Sequence, residues 1–420
     1  MIEKIKKWFS IPAVKITGLF LFLILGTTER DVFPFSVGRF HLLMKTSELA
    51  VLGLLVFIIV FRFRAFMIFF SIHRSLWLFL IAFVVIAGSS TLLSDFPINA
   101  ARFSLRLTMG FVLFVAWSTL MNFDETVYLV KALVLWDVVI CSLATLERFA
   151  FSTMEPVLSF IRNTSHSYYP RVSSVFNNPN VFGSYCVVIF AIVFSTFILR
   201  RVNRNWFLLG SVSEVISITF SGSRNAVVVL AFLLALSWWM FRAERKTLAW
   251  VIGVFLIVAM GYPSTRTRFL VDSATVSRAL QDRPSIWKAA IKGWEANPWL
   301  GVGPGNFRLV NARYGGPGGE GVYHAHSLFL DFLVSLGICG LVWLIGCLGY
   351  IWSRVYGFIK RGGSVVVSWP FLAAVLSQTF FDYFLDHSLP FGIVFWLTAA
   401  YSLKLAESSP PTEVNNQTGC

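Results

Sequence analysis

The sequence predicts an all-α, polytopic integral membrane protein of about twelve transmembrane helices, with one large external loop carrying short interfacial helices. Three observations lead there. Of the 420 residues 56% are hydrophobic and only 13% are charged, against roughly 25% charged in soluble proteins. Mean hydropathy is +0.72. Apolar runs of membrane-crossing length recur from end to end. Together these exclude a soluble globular enzyme, a disordered chain and a coiled coil.

The apolar runs fall at 9–27, 43–62, 75–94, 102–121, 126–146, 175–198, 206–221, 225–241, 247–262, 327–352, 364–382 and 388–404. Lys4, Lys6 and Lys7 precede the first, and no small-residue cleavage site follows Leu25, so a retained helix with a cytoplasmic N-terminus is expected. The net charge of +14 would suggest nucleic acid in a soluble protein; here much of it is orientation signal. Starting inside, the cytoplasmic loops hold Arg62, Arg64 and Arg74, then Arg200, Arg201 and Arg204, then Arg242, Arg245 and Lys246, then Arg354, Lys360 and Arg361. Each of these short loops is basic, as the positive-inside rule requires, and both termini then face the cytoplasm. The weak spot is the loop near Asn122 to Glu125.

The predicted organisation is nine spans over 1–262, an external loop over 263–326 with an amphipathic helix, three spans over 327–404 and a disordered cytoplasmic tail over 405–420. The loop carries Arg266, Arg268, Arg278, Arg283, Lys288, Lys292, Arg308 and Arg313 against four acidic residues, Asp272, Asp282, Glu295 and Glu320. A basic outer loop defies positive-inside and suits either anionic headgroups or an anionic substrate. The cysteines, 141, 186, 339, 347 and 420, form no CxxC pair, so neither a disulfide framework nor a zinc site is expected.

Within the loop, 282–297 reads as a short amphipathic helix with Pro284 in its first turn. Ile286, Ala290 and Trp294 share one face, and Lys288 and Lys292 another, as in a helix lying on the membrane with Trp294 and Trp299 at headgroup depth. Arg283 at its start is placed for an anion or for lipid phosphates. The glycines of 298–305 lack the Lys-Ser/Thr of a phosphate loop and read as a tight turn. In Thr219-Phe-Ser-Gly-Ser-Arg-Asn225, Ser221 or Ser223 can cap the next helix, leaving Arg224 at a helix N-terminus. Ser211, Ser213, Glu214, Ser217 and Thr219 make the preceding span polar enough to face a wet cavity. Arg171 to Asn180 leads into the sixth span from the same side. Arg102 and Arg106 lie one turn apart, to pair with Asp95 or Asp137 or to line the cavity.

Tyr323-His-Ala-His-Ser-Leu-Phe-Leu-Asp331 closes the loop. His324 and His326 lack a third and fourth ligand at a firm spacing, so no metal is expected, and a neutral imidazole beside outward arginines suits a general base. Asp382 and Asp386 are the runner-up bases.

Three ordered pieces resemble the bacterial O-antigen ligase and polymerase superfamily: Ser221-Gly-Ser-Arg224; Arg283-x-x-x-Trp287 with Pro298-x-x-Gly301-x-Gly303; and His326-Ser-x-x-Leu330 running on to Gly337. Arg171 to Asn180 is similar to the family's Asn-Pro-Asn element, and Ser327 departs from the Asn often found beside the His. The resemblance covers roughly 165–345. It implies a polysaccharide donor on undecaprenyl diphosphate and, for a ligase, a sugar hydroxyl of lipid A–core as acceptor, at the periplasmic face of the inner membrane. His326, Arg224 and Arg283 would be catalytic. Arg171, Asn180, His324, Trp287, Arg102 and Arg106 would bind substrate. No cofactor and no nucleic acid are implied. Polymerase members join repeat units instead, and a lipid-linked saccharide flippase or transporter is the reading from another class.

Overall fold

The computed structural model describes residues 12–27, 31–37, 40–120, 126–162, 169–262, 273–379, 385 and 388–408. Every apolar run contains a helix. In chain order they are α1 (Pro12–Thr27), α2 (Thr46–Phe61), α3 (Phe63–Ile72), α4 (Arg74–Leu92), α5 (Pro97–Leu120), α6 (Thr126–Phe149), α7 (Phe151–Arg162), α8 (Pro179–Ile198), α9 (Arg204–Ser221), α10 (Arg224–Met240) and α11 (Arg245–Gly261). Then follow α12 (Ser273–Ala296), α13 (Phe307–Arg313), α14 (Leu328–Lys360), α15 (Trp369–Thr379) and α16 (Leu389–Ser408). Between α1 and α2 lies one two-stranded antiparallel ribbon, Asp31–Val37 with Phe40–Lys45, which the all-α expectation did not include.

The chain is polytopic. Among the described residues five helices are long and apolar enough to cross a membrane, and seven spans result if two bent pairs each count once. These pairs are α2–α3, bent by 91°, and α10–α11, bent by 112°. The remaining apolar runs of the expected twelve are shorter or more polar helices packed among them. The last helix runs to Ser408, so the predicted tail begins later than 405, and 409–420 lie outside the described residues.

The core is centred on α8, whose membrane-length window is 94% buried. Around it pack α6, α9, α10, α15 and α16. Phe194 of α8 stacks on Trp369 of α15 at 5.2 Å between centroids. A second group joins α14 to α4, α12 and α16, with Trp343 against Phe83 and Phe111 and its indole N–H donating to Phe79 O at 2.7 Å.

Antiparallel packing fixes two ends. Ser90 near the end of α4 donates to Ser335 O near the start of α14, at 3.0 Å. Conversely, His73 before α4 meets the Tyr350 hydroxyl late in α14, at 2.7 Å. Thr196 late in α8 meets Tyr401 late in α16, and Asn225 early in α10 donates to Ser377 O late in α15, at 2.7 Å. One end therefore gathers the described parts of the long connections, 150–162, 169–178 and 273–327. The other gathers the basic short loops, including Arg200, which pairs with Glu244 at 2.8 Å.

Candidate functional site

At the connection-rich end, two groups of side chains are built from separate parts of the chain. The first surrounds the turn between α9 and α10. Gly222, at φ +58, ends α9, and Ser223 caps α10 by accepting the Ala226 N–H at 3.4 Å. Arg224 is then the first residue of α10, where free backbone N–H groups and the helix dipole favour anions, as its sequence position predicts. Arg171 ties this turn to α8: its Nε donates to Ser221 O at 2.9 Å and its Nη2 to Asn180 Oδ1. Asn178 caps α8 through the Asn180 N–H at 2.7 Å, with Pro179 at the first helical position. Gly183 permits the contact, because a Cβ there would lie 2.7 Å from Ser223 Cβ and 2.8 Å from Ser221 Oγ.

A buried ion network holds the segment that carries Arg171. Glu147 accepts Arg162 Nη1 at 2.9 Å and the N–H of Ser174 at 2.7 Å, while Arg162 also reaches Ser173 Oγ at 2.5 Å and Glu155 at 2.6 Å. Neither Glu147 nor Arg162 stood out in the sequence as a site residue. The surviving signal was an acidic residue near the end of an apolar run, followed by an Arg in the next helix.

The second group surrounds the two imidazoles. Their ring centroids are 4.4 Å apart, nearly perpendicular. Between them Ala325 is fully buried: its carbonyl accepts the Trp287 indole N–H at 3.0 Å, and its N–H donates to both carboxylate oxygens of Asp331, at 3.1 and 2.9 Å. His326 has φ +54, a left-handed conformation that a non-glycine residue adopts at a cost and that local structure must enforce. Trp287 and Asp331 enforce it. So Arg283-x-x-x-Trp287 and His326 belong to one unit: the sequence ordered these motifs, and the structure joins them through a hydrogen bond. Asp331, 2% exposed, was missed. Its signal was a carboxylate in the first turn of an apolar helix, where a lone charge is expensive.

Several expectations require correction here. The helix predicted at 282–297 begins at Ser273, so Pro284 and Arg283 are interior to it and Arg283 is not at a helix N-terminus. Its apolar face does not rest on lipid: Ile286 and Ala290 are buried against Phe307, Val310 and Val334, while Lys288 and Lys292 remain exposed. By contrast, residues 298–305 do form the tight turn that the sequence predicts, and its glycines serve backbone contact. Val302 and Gly303 donate to the carbonyls of Val334 and Ser335, at 2.9 and 3.0 Å, where α14 breaks at Gly337 (φ +66). A Cβ on Gly301 would lie 2.4 Å from Ser335 C, and one on Gly337 2.2 Å from Trp299 O. Ser94, Asn99 and Asn306 fasten the same loop to α4 and α5.

Arg106 pairs with neither Asp95 nor Asp137. It is 5% exposed and bonds Glu48 through Nε at 3.2 Å. Asp95 faces Arg313 at 3.8 Å, and Asp137 accepts from Tyr185 at 2.9 Å. Arg102 is half-buried one turn above Arg106. The polar face of α9 does not line a wet cavity: Ser211, Ser213, Glu214, Ser217 and Thr219 are all buried, with Glu214 beside Asp137 of α6. The runner-up bases Asp382 and Asp386, and the loop 263–272 with Arg266 and Arg268, lie outside the described residues. Among the described residues no group of three or more His, Cys, Asp and Glu gathers to hold a metal ion.

The two groups share one end of the bundle, and α15 packs against both α10 and α14. The site thus offers cations on one arm, and on the other two imidazoles whose turn is held by Trp287, one helical turn along α12 from Arg283. A family model described as O-antigen ligase matches residues 209–345, about a third of the 420. The match begins in α9, takes in the Arg224 turn, α12 and the His turn, and ends past the break at Gly337. It supports an O-antigen ligase or polymerase in a multi-pass membrane setting. No curated protein matches the chain.

Proposed function

We propose, from the premise that residues 209–345 carry a domain of the O-antigen ligase family, that this chain is an O-antigen ligase. It would transfer polysaccharide from undecaprenyl diphosphate to a sugar hydroxyl of lipid A–core at the periplasmic face of the inner membrane. The observation that carries the reading is the His turn, whose Ala325 is held on one side by Trp287 and on the other by Asp331. A family motif without a fold around it would not require that arrangement.

In the proposed reaction the acceptor oxygen attacks C1 of the donor sugar, the C1–O bond to the diphosphate breaks, and the anomeric centre inverts in one displacement. Arg224 and Arg283 would stabilise the charge that builds on the leaving diphosphate. Guanidinium groups suit this, because they bind phosphate oxygens in a fixed fork and stay charged. A diphosphate leaves without a general acid, so the remaining proton is that of the acceptor hydroxyl, which the His326 imidazole would take. His324 lies one ring away and would orient the acceptor. Trp287 acts through the turn that it holds. Arg171 and Asn180 position the Arg224 turn, and Arg106, already paired with Glu48, is assigned to scaffold and not to substrate.

The test is deletion of the gene followed by a gel of extracted lipopolysaccharide. Loss of every capped species with accumulation of lipid-linked polymer is expected. Core bearing a single repeat unit would instead make the protein a polymerase, and substrate moved across the bilayer but covalently unchanged would make it a transporter.

A further inference from the structure

At the basic end, opposite the candidate site, a cleft of about 410 Å³ opens between the end of α3, the last turns of α14 and the end of α16. Its lining is Ile72, Ser353, Arg354, Gly357, Arg361 and the α16 pair Ala406 and Glu407. We propose that this cleft binds the phosphate headgroup of an anionic membrane lipid.

Charge is the first argument. Arg354 in α14 and Arg361, which caps its C-terminal end, lie about two turns apart and are both exposed. The acidic lining residue, Glu407, is already engaged: His73 Nε2 holds one oxygen at 2.5 Å and Lys404 Nζ the other at 3.3 Å. His73 is itself fixed by Tyr350 at 2.7 Å. Among the described residues no carboxylate pairs with either guanidinium group of the cleft. Shape is the second. Gly357 leaves the wall between the arginines bare, and a Cβ there would meet only Arg361 Nη1, at 3.5 Å.

Surroundings favour a lipid over a soluble anion. α3 turns 91° from α2 and leads to the cleft, with Phe63, Met67, Ile68 and Ile72 exposed by 53, 49, 57 and 65%. On α14, Trp352 and Tyr356 beside the arginines are 43% and 47% exposed. Aromatic rings and arginines at a helix end, beside an apolar helix running across the bundle, are what a headgroup and the top of its acyl chains meet at an interface.

Native mass spectrometry of the full-length protein tests this, after exchange into an equal mixture of phosphatidylglycerol and phosphatidylethanolamine. Retention of phosphatidylglycerol over phosphatidylethanolamine is expected. Removing either arginine, as Arg354→Ala or Arg361→Ala, should lower that preference about fivefold. Gly357→Met fills the cleft without changing charge and should abolish the preference. Arg361→Gln serves as the milder charge variant should Gly357→Met not insert. Equal retention of both lipids by the wild type, or an unchanged preference in Gly357→Met or Arg361→Gln, overturns the proposal. A thermal shift with inorganic phosphate as large as that with short-chain phosphatidylglycerol also overturns it, because the site would then be one for soluble anions.

Discussion

Asp331→Ala should cripple turnover without touching the imidazoles themselves. The carboxylate accepts the buried Ala325 N–H at 3.1 and 2.9 Å and so fixes that peptide. Its removal strands the backbone donor of a fully buried residue, at a cost of about 1–3 kcal/mol. At about 1.36 kcal/mol per decade this is roughly a 5–150-fold loss in the population of the His326 conformation, and the same loss in kcat. The donor KM should stay near its wild-type value, because the arginines lie on other elements. Asp331→Asn keeps an acceptor oxygen and should fall by less than about tenfold. The assay is initial-rate transfer in proteoliposomes holding lipid-linked polysaccharide and core-terminated lipopolysaccharide, with thermal stability followed in parallel. An Asp331→Ala enzyme with wild-type kcat, or one whose whole defect lies in the donor KM, would refute the reasoning.

Four further outcomes are expected. His326→Ala should lose about 10²–10⁴-fold in kcat with donor binding nearly intact, more than His324→Ala; greater damage from His324→Ala would reassign the base. Arg171→Lys keeps the charge but cannot reach Ser221 O and Asn180 together, so transfer should drop about tenfold while the protein still inserts. Gly337→Ala places a Cβ against Trp299 O at a positive φ and should lower thermal stability by more than Gly349→Ala, whose Cβ would meet nothing within 4 Å. Finally, an impermeant thiol reagent should label Glu320→Cys from the periplasmic side of spheroplasts, in a background lacking the native cysteines; labelling at Arg242→Cys alone would invert the orientation.

Much of this was legible in the sequence, for identifiable reasons. Apolar runs report helices because a chain in lipid must satisfy its backbone internally, so each run contains one. The Ser223 cap and the Arg224 position follow from local rules that need no tertiary knowledge. The failures are all non-local. The start of α12 could not be placed, because Pro284 marks a first turn in the statistics yet is tolerated here inside a helix whose face is buried by α13 and α14. The partner of Arg106 was sought among nearby acids, but it is Glu48 on another helix. The polar face of α9 suggested water because a sequence cannot say that Asp137 and Tyr185 stand opposite it. Asp331 was visible only as one more carboxylate until the fold brought it back upon Ala325.

The break in α14 also settles a matter of length. A continuous helix of 33 residues would measure about 50 Å, well beyond the hydrocarbon of a bilayer at about 30 Å. With the rod interrupted at Gly337, the portion from Ile338 to Lys360 is about 35 Å long and matches the membrane by itself. The turns from Leu328 to Leu336 become a pedestal about 13 Å tall, braced by the 298–305 turn and aimed independently of the rod beneath. The imidazoles stand on top of that pedestal. In the proposed reaction a glycine that carries no chemistry would thereby set how far beyond the membrane-length rod an acceptor sugar must reach, and an acceptor oligosaccharide too short to climb that height would be refused whatever its terminal residue.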